Sequence, residues 1–160
     1  LVHNFAKYLR GNFGELDNPK PILMSQEMEH VHHYISIENV RFPDMTFTFE
    51  MNSEDFHIPA LTVQPIVENA IKHGLFHNAG GGVLNISCYH EADRHVVEIV
   101  DNGVGFDAEN LNALLENKSS VGLRSALMRL ENEMQATVSI RSHVGGKTGT
   151  RVRIEIPESR

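Results

Sequence analysis

The sequence predicts an α/β two-layer sandwich in which a mostly antiparallel sheet packs on helices, preceded by a partial helical hairpin. Five segments alternate apolar and polar residues, which is typical of strands with one buried face. Four others repeat apolar residues at helical spacing, and strands and helices follow each other in separate runs. The predicted strands lie at 46–51, 83–89, 95–101, 137–142 and 150–157, and the predicted helices at 1–13, 25–40, 64–74 and 121–135.

Composition limits the classes of protein that this chain can belong to. Its 160 residues suffice for one well-buried domain with something small attached. Fourteen Lys and Arg against 21 Asp and Glu give a net charge of −7, and without a basic run we expect no nucleic-acid partner. The single cysteine, Cys88, excludes an intramolecular disulfide. Because the chain starts at Leu1 without Met, we expect a fragment of a longer protein.

The N-terminal part predicts two helices joined by a loop. Residues 1–13 carry a helical apolar stripe that glycines and prolines then interrupt. Ser25 is a suitable N-cap for the second helix, with Glu27 and Glu29 in the first turn, where anions suit the helix dipole. We therefore expect residues 1–42 to form the end of a helical hairpin and 43–160 a separate domain.

The stretch Gln64–Gly74, QPIVENAIKHG, predicts an amphipathic helix with an unusual polar face. At ~100° per residue, its acid, amide, ammonium and imidazole groups share an arc of about 140°. These groups belong to Glu68, Asn69, Lys72 and His73. A solvated surface helix would show the same pattern. Pro65 lies near the predicted start, where its missing N–H costs least, and Gly74 is a natural stop.

A glycine-rich acidic turn, DNGVGFD, follows a predicted strand that ends at Asp101. A carboxylate there can accept a hydrogen bond from an amine, and Gly103 and Gly105 allow backbone to approach a ligand. A plain Asp-Asn-Gly turn remains the alternative. Residues 103–120 read as a long loop of functional type, and a helix then starts near Gly122 with its amides available to an anion.

In their order along the chain, these segments resemble the ATP-binding boxes of the GHKL superfamily, and in particular the catalytic domains of LytS-like sensor histidine kinases of two-component systems. PIVENAIKHG resembles the N box, DNGVGFD the first glycine box, GLRSALMRLE the second glycine region and GTRVRIEIP the closing strand. EMEHVHHYISIENVRF resembles the helix that precedes this domain. The resemblance covers nearly the whole chain and implies ATP and Mg²⁺ as cofactors.

For the phosphate side, the resemblance implies five residues. Asn69 would bind the magnesium that bridges the ATP phosphates. Lys72 and His73 would lie beside those phosphates. Gly122 and Leu123 would line the phosphate side of the lid.

For the base side, the resemblance implies four more. Asp101 would bind the adenine amine, and Gly103 and Gly105 would shape that pocket. Thr150 would lie near the base. No residue of this chain receives a catalytic assignment.

The implied activity is transfer of the ATP γ-phosphoryl group to a histidine upstream of this fragment and on to an aspartate of a response regulator, with the LytTR type as one candidate. The parent protein would dimerise through the hairpin, and this part would be a cytoplasmic domain of a protein anchored in the bacterial inner membrane.

Two departures from the family pattern matter. Pro65 stands where the ATPases of the superfamily carry a general-base Glu, four residues before the metal-binding Asn69. A PHFLFN-like acceptor motif does not occur, and His3 in VHNF does not match it. The resemblance assigns no role to Glu68. The alternatives are a GHKL ATPase or serine kinase, and a catalytically silent dimerisation or interaction module.

Overall fold

The computed structural model describes residues 20–76, 81–107, 121–145 and 148–158. Its strands are β1 (Pro21–Leu23), β2 (Thr46–Met51), β3 (His57–Pro59), β4 (Val83–Glu91), β5 (Arg94–Asp101), β6 (Thr137–His143) and β7 (Gly149–Pro157). Its helices are α1 (Met24–Arg41), α2 (Val63–Asn69), which continues as a π-helical segment (Ala70–Leu75), and α3 (Val121–Met134). The predicted helix at 1–13 and most of the predicted loop, 108–120, lie outside the described residues.

Five strands form the main sheet in the order β2-β4-β5-β7-β6. Only the β2–β4 pair is parallel, so the predicted, mostly antiparallel sheet is confirmed. β1 and β3 form a small antiparallel pair of their own. Because side chains alternate along a strand, Leu84, Ile86 and Cys88 share one fully buried face of β4, as predicted.

The helices cover one face of this sheet and form the core with it. Buried residues of α1, α2 and α3 join those of β4, β5 and β7 in one apolar cluster. The opposite face is charged, since Arg153 forms ion pairs there with Glu91, Glu98 and Glu155. Because the helices lie on one face of the sheet, the predicted two-layer α/β class is confirmed. Among the described residues, no helix has the length and apolar character needed to span a bilayer.

Helix α1 begins two residues earlier than a Ser25 N-cap would place it. Ser25 was expected to cap it, but Met24 is already helical and Leu23 precedes the helix. The reason is the β1–β3 pairing, which holds Leu23 extended opposite His57. Gln26 Oε1 accepts the N–H of Leu23 at 3.1 Å. The Ser25 cap is thus wrong, and α1 packs into the shared core; the predicted domain boundary after residue 42 stays a prediction.

Helix α2 does not end at Gly74, as was predicted, but passes into a π-helical turn that ends at Leu75. Phe76 N–H donates to the carbonyl of Ile71 at 3.1 Å, which is the i to i+5 bond of a π-helix. Gly74 is needed for close packing: a Cβ there would lie 3.0 Å from Asp101 Oδ1. Pro65 is the third residue of α2, which confirms its predicted place near the start.

Candidate functional site

Two neighbouring cavities share Asn69 and His73 between them. The inner pocket holds about 460 Å³ of space, its open mouth included. It is lined by Asn69, Ala70, His73, Gly74, Ile99, Asp101, Gly105, Phe106, Thr150 and Val152. The second cavity, the helix-start pocket, is lined by Pro65, Glu68, Asn69, Lys72, His73, Gly122 and Leu123. Eight of the nine predicted site residues therefore line one cavity or the other.

Asp101 lies in the inner pocket because β5 ends there, opposite Thr150 of β7. Its side chain is buried, and its Oδ1 accepts the N–H groups of Gly103 at 2.8 Å and Thr150 at 3.3 Å. Burial raises the pKa of this carboxyl group, and the two backbone hydrogen bonds lower it. Among the described residues both hydrogen bonds end on Oδ1, so Oδ2 is available to accept a hydrogen bond from a ligand.

Gly103, the ninth predicted residue, shapes the pocket from behind. A Cβ at Gly103 would lie 2.4 Å from the backbone of Gly74, so only glycine allows this turn to pack on the helix. Gly105 has φ +67°, and its Cβ would lie 2.1 Å from the carbonyl oxygen of His143. Sequence reasoning missed Gly149, whose Cβ would lie 2.2 Å from the carbonyl oxygen of Asp101. Three glycines thus let three segments meet around one carboxylate.

Ser142 is a second residue that sequence reasoning missed. Its Oγ accepts the N–H of Phe106 at 2.8 Å and lies 3.0 Å from Thr150 Oγ1. It also donates to the carbonyl of Gly149 at 3.1 Å. One hydroxyl therefore joins β6, β7 and the glycine turn beside the inner pocket. The available signal was its position in β6, on the same half-buried face as Val138 and Ile140.

The helix-start pocket combines charged side chains of α2 and its π-helical continuation with uncharged residues from the first turn of α3. Glu68 accepts hydrogen bonds from Gln64 Nε2 at 2.9 Å and from Lys72 Nζ at 3.3 Å. Lys72 and His73 are exposed, and Asn69 is half-buried. Gly122 lies opposite Pro65, since a Cβ on Gly122 would be 3.8 Å from the Cβ of Pro65. The start of a 14-residue helix and an ammonium group together favour an anion.

The sequence analysis also did not identify the apolar residues that line the inner pocket. Ile99, Val152 and Ala70 have apolar side chains at inward positions, so their sequence pattern is that of ordinary core residues. Together with Phe106 they provide apolar surface in the same pocket as the carboxylate of Asp101. Such a pocket suits a planar heterocycle with an amine, and the adjoining pocket suits an anion. The fold and site define a nucleotide-binding α/β domain.

Comparison with known proteins agrees with this class. Residues 57–160 match the family model of histidine kinase-, DNA gyrase B- and HSP90-like ATPases, and residues 1–46 match the histidine kinase model. The chain belongs to the histidine kinase-, DNA gyrase B- and HSP90-like ATPase family.

Its relatives include sensor kinases. It is 31% identical over 163 residues to the sensor histidine kinase YpdA of Escherichia coli, covering 100% of this chain and 28% of that protein. It is 27% identical to the sensor protein LytS of Staphylococcus haemolyticus, covering 98% of this chain and 28% of that protein. The chain thus spans less than a third of the length of these two relatives. The predicted resemblance to LytS-like sensor kinases is confirmed.

Solved structures show the same fold at low identity. The mycobacterial sensor histidine kinase MprB superimposes with a TM-score of 0.66 at 16% identity, over 87% of this chain and 97% of that chain. The catalytic domain of the histidine kinase ThkA gives a TM-score of 0.65 at 14% identity, over 88% of this chain and 97% of that chain. The roles of individual side chains stay predictions.

Proposed function

We propose that this chain is the part of a sensor histidine kinase that binds ATP, with the adenine in the inner pocket and the phosphates in the helix-start pocket. The observation that carries the proposal is the shared pair Asn69 and His73, which lines both cavities and so joins a base site to an anion site. The buried Asp101 carboxylate supports adenine as the base. Its Oδ2 is suited to accept a hydrogen bond from the exocyclic 6-amine of adenine, and a 6-oxo purine has an acceptor oxygen at that position instead.

Magnesium is the second part of the proposal. Within the described residues no three acidic, histidine or cysteine side chains cluster as a metal site. Mg²⁺ is usually held by one or two protein oxygens together with substrate phosphates and water. The amide oxygen of Asn69, half-buried between the two cavities, suits that limited role, and Lys72 would neutralise phosphate charge beside it. The bound metal would supply charge neutralisation at the transferred group.

The proposed reaction moves the γ-phosphoryl group to a histidine of the parent protein. The bond from the γ-phosphorus to the β–γ bridging oxygen breaks, a phosphorus–nitrogen bond to the imidazole forms, and ADP leaves. A response-regulator aspartate, with the LytTR type as one candidate, then receives the group. The parent would dimerise through the hairpin around residues 1–42, and the present domain would be cytoplasmic in a protein anchored in the inner membrane.

Pro65 supports transfer to histidine over hydrolysis. It lines the helix-start pocket, so the position that carries the general base in related ATPases is at the site, yet its side chain cannot remove a proton from water. Phosphoryl transfer depends mainly on positioning and on cations, which this pocket offers.

A labelling experiment tests the proposal. Full-length parent protein is incubated with radiolabelled ATP and Mg²⁺, and we expect label that is lost in acid and stable in base, as on phosphohistidine. Asn69→Ala should abolish it, while Asn132→Ala, the same change at an exposed position of α3, should not. The isolated chain should bind nucleotide without becoming labelled. Steady phosphate release by the isolated chain would instead favour an ATPase.

A further inference from the structure

The carboxylate of Glu27 is fully buried, although it belongs to the first turn of α1. It accepts four backbone hydrogen bonds from a segment more than thirty residues away. The donors are the N–H groups of Leu61 (2.8 Å), Thr62 (2.9 Å), Val63 (2.8 Å) and Gln64 (3.3 Å). Because these groups surround the start of α2, Glu27 caps a helix other than its own.

Helix α2 depends on this cap. Thr62, its N-cap residue, makes no side-chain capping bond, because its hydroxyl donates to the carbonyl of Pro59 at 2.8 Å instead. The first N–H groups of a helix need acceptors, and an anion there also suits the helix dipole. Glu27 therefore satisfies the start of the helix that carries Asn69.

The segment Ala60–Gln64, here called the junction, is also held in an unfavourable conformation. Leu61 has φ +56°, in the left-handed region that non-glycine residues rarely adopt. Its N–H donates to Glu27, so the buried carboxylate helps to hold that conformation. On the other side, Arg129 of α3 donates to the carbonyl of Ala60 at 2.7 Å. Backbone strain of this kind persists only where surrounding contacts over-determine it.

We propose that Glu27 is a positioning residue for the nucleotide site, which it influences by fixing the start of α2. This inference rests on the proposed function. Asn69 lies six residues after Val63, about 9 Å along a helix at 1.5 Å per residue, so a shift at the junction reaches it within two turns. Arg129 connects the same junction to α3, whose first turn carries Gly122 and Leu123. A displacement of α1 would thus alter both walls of the helix-start pocket.

The structural half of the proposal is tested without nucleotide. Amide hydrogen exchange of α2 is compared in the wild-type chain, Glu27→Gln, the exposed control Glu29→Gln, and Ile35→Ala, which damages the core two turns further along α1. We expect faster exchange at Val63–Asn69 in Glu27→Gln than in Ile35→Ala, even if Ile35→Ala lowers the melting temperature as much. Equal protection in these two variants overturns the proposal.

The functional half uses the affinity for a non-hydrolysable ATP analogue with Mg²⁺, measured by calorimetry at a temperature where all variants are folded. We expect Glu27→Gln to bind about fivefold more weakly or worse, a coupling of the size seen for residues that act through others. Glu29→Gln and Ile35→Ala should bind as the wild type does. Unchanged affinity in Glu27→Gln overturns the link to the site, whereas a wild-type chain that binds no nucleotide overturns the proposed function itself.

A second variant covers the case in which Glu27→Gln does not fold. Arg129→Met removes the donor to Ala60 on the α3 side and keeps the aliphatic stem. We expect weaker analogue binding for Arg129→Met and none of this loss for Arg94→Met, an exposed arginine at the opposite end of β5 from Asp101. Unchanged binding in Arg129→Met contradicts the role given to the junction.

Discussion

Asp101→Asn should separate the folding role of this side chain from its role in binding. The side-chain oxygen of asparagine can still accept the N–H groups of Gly103 and Thr150, which in the native chain both bind Oδ1. The new amide nitrogen then replaces Oδ2 and presents a donor to the ligand. Because the shape is conserved, the substitution changes mainly what the inner pocket can accept.

The size of the effect follows from these contacts. A hydrogen bond from a ligand amine to a charged acceptor contributes about 1.5–3 kcal/mol, and leaving a buried donor against another donor costs about 1–3 kcal/mol. Together these give about 2.5–6 kcal/mol, which corresponds to a loss of roughly 70- to 25,000-fold in affinity. For stability, the weaker backbone hydrogen bonds are offset by removal of a buried charge, so we expect a change within about 1 kcal/mol.

Calorimetry with the ATP analogue and thermal unfolding measure both quantities on the same samples. Asp93→Asn is the matched control, since Asp93 is exposed next to the opposite end of β5. Asparagine should also reduce the preference for adenine over a 6-oxo purine, because its amide can donate to the oxo group. Wild-type affinity in a folded Asp101→Asn variant would refute the assignment of Asp101 to the base.

Three further predictions concern stability and reactivity. Gly103→Ala should lower the free energy of unfolding by about 2–3 kcal/mol, because the added Cβ would lie 2.4 Å from the backbone of Gly74. Gly122→Ala should leave the free energy of unfolding unchanged or raise it, because its Cβ would lie 3.8 Å from the nearest atom, on Pro65. Chemical denaturation measures the free energy of unfolding of both variants. Burial raises the pKa of Cys88 to about 12, so an alkylating reagent should label this thiol only after unfolding. If the folded chain were labelled as fast as an exposed thiol, the burial of Cys88 would be contradicted. Burial lowers the pKa of His95, against the opposing effect of Glu158, so the folded state binds protons less readily than the unfolded state. The contribution of neutral His95 to the free energy of unfolding is therefore present above about pH 6.5 and is lost as the pH falls towards the pKa of the folded state. When the free energy of unfolding is measured against pH by chemical denaturation, His95→Phe should reduce its dependence on pH in that range.

Local patterns predicted most of the fold because one-sided burial leaves a local trace. The alternation at 46–51 became β2 with the same bounds, and the stripe of Leu123, Ala126 and Leu130 became the buried face of α3. Sheet order left no such trace, because it depends on contacts between distant segments. The parallel pairing of β2 with β4 was accordingly not predicted. The prediction that the helix stops at Gly74 was wrong for a related reason. The missing side chain of Gly74 allows Asp101 to pack against the helix, and a rule for helix ends does not include that contact.

In the candidate site, too, local patterns predicted some residues, whereas others depend on contacts between distant segments. Side chains on the polar face of α2 were predictable because four chemically different groups recur at helical spacing. Glu27 was misread, since an acid in the first turn of a helix suits that helix's own dipole, whereas its oxygens bind the start of α2. Ser142 was missed because its partner Phe106 lies 36 residues away. These are pairings across the fold, which no local rule contains.

A physical signal nevertheless connects the missed residues with the predicted ones. Each is a polar residue at a position whose neighbours on the same face are apolar: Glu27 lies with Met24, Met28 and Val31 on α1, Ser142 with Val138 and Ile140 on β6, and Asp101 with Val97 and Ile99 on β5. A polar group on a buried face costs free energy unless a partner compensates for it. Glu27 and Ser142 have backbone partners, which makes them structural supports of the site. Asp101 keeps one oxygen without a bond from the described residues, and we therefore propose that Asp101 binds the ligand while Glu27 and Ser142 hold the pocket in place.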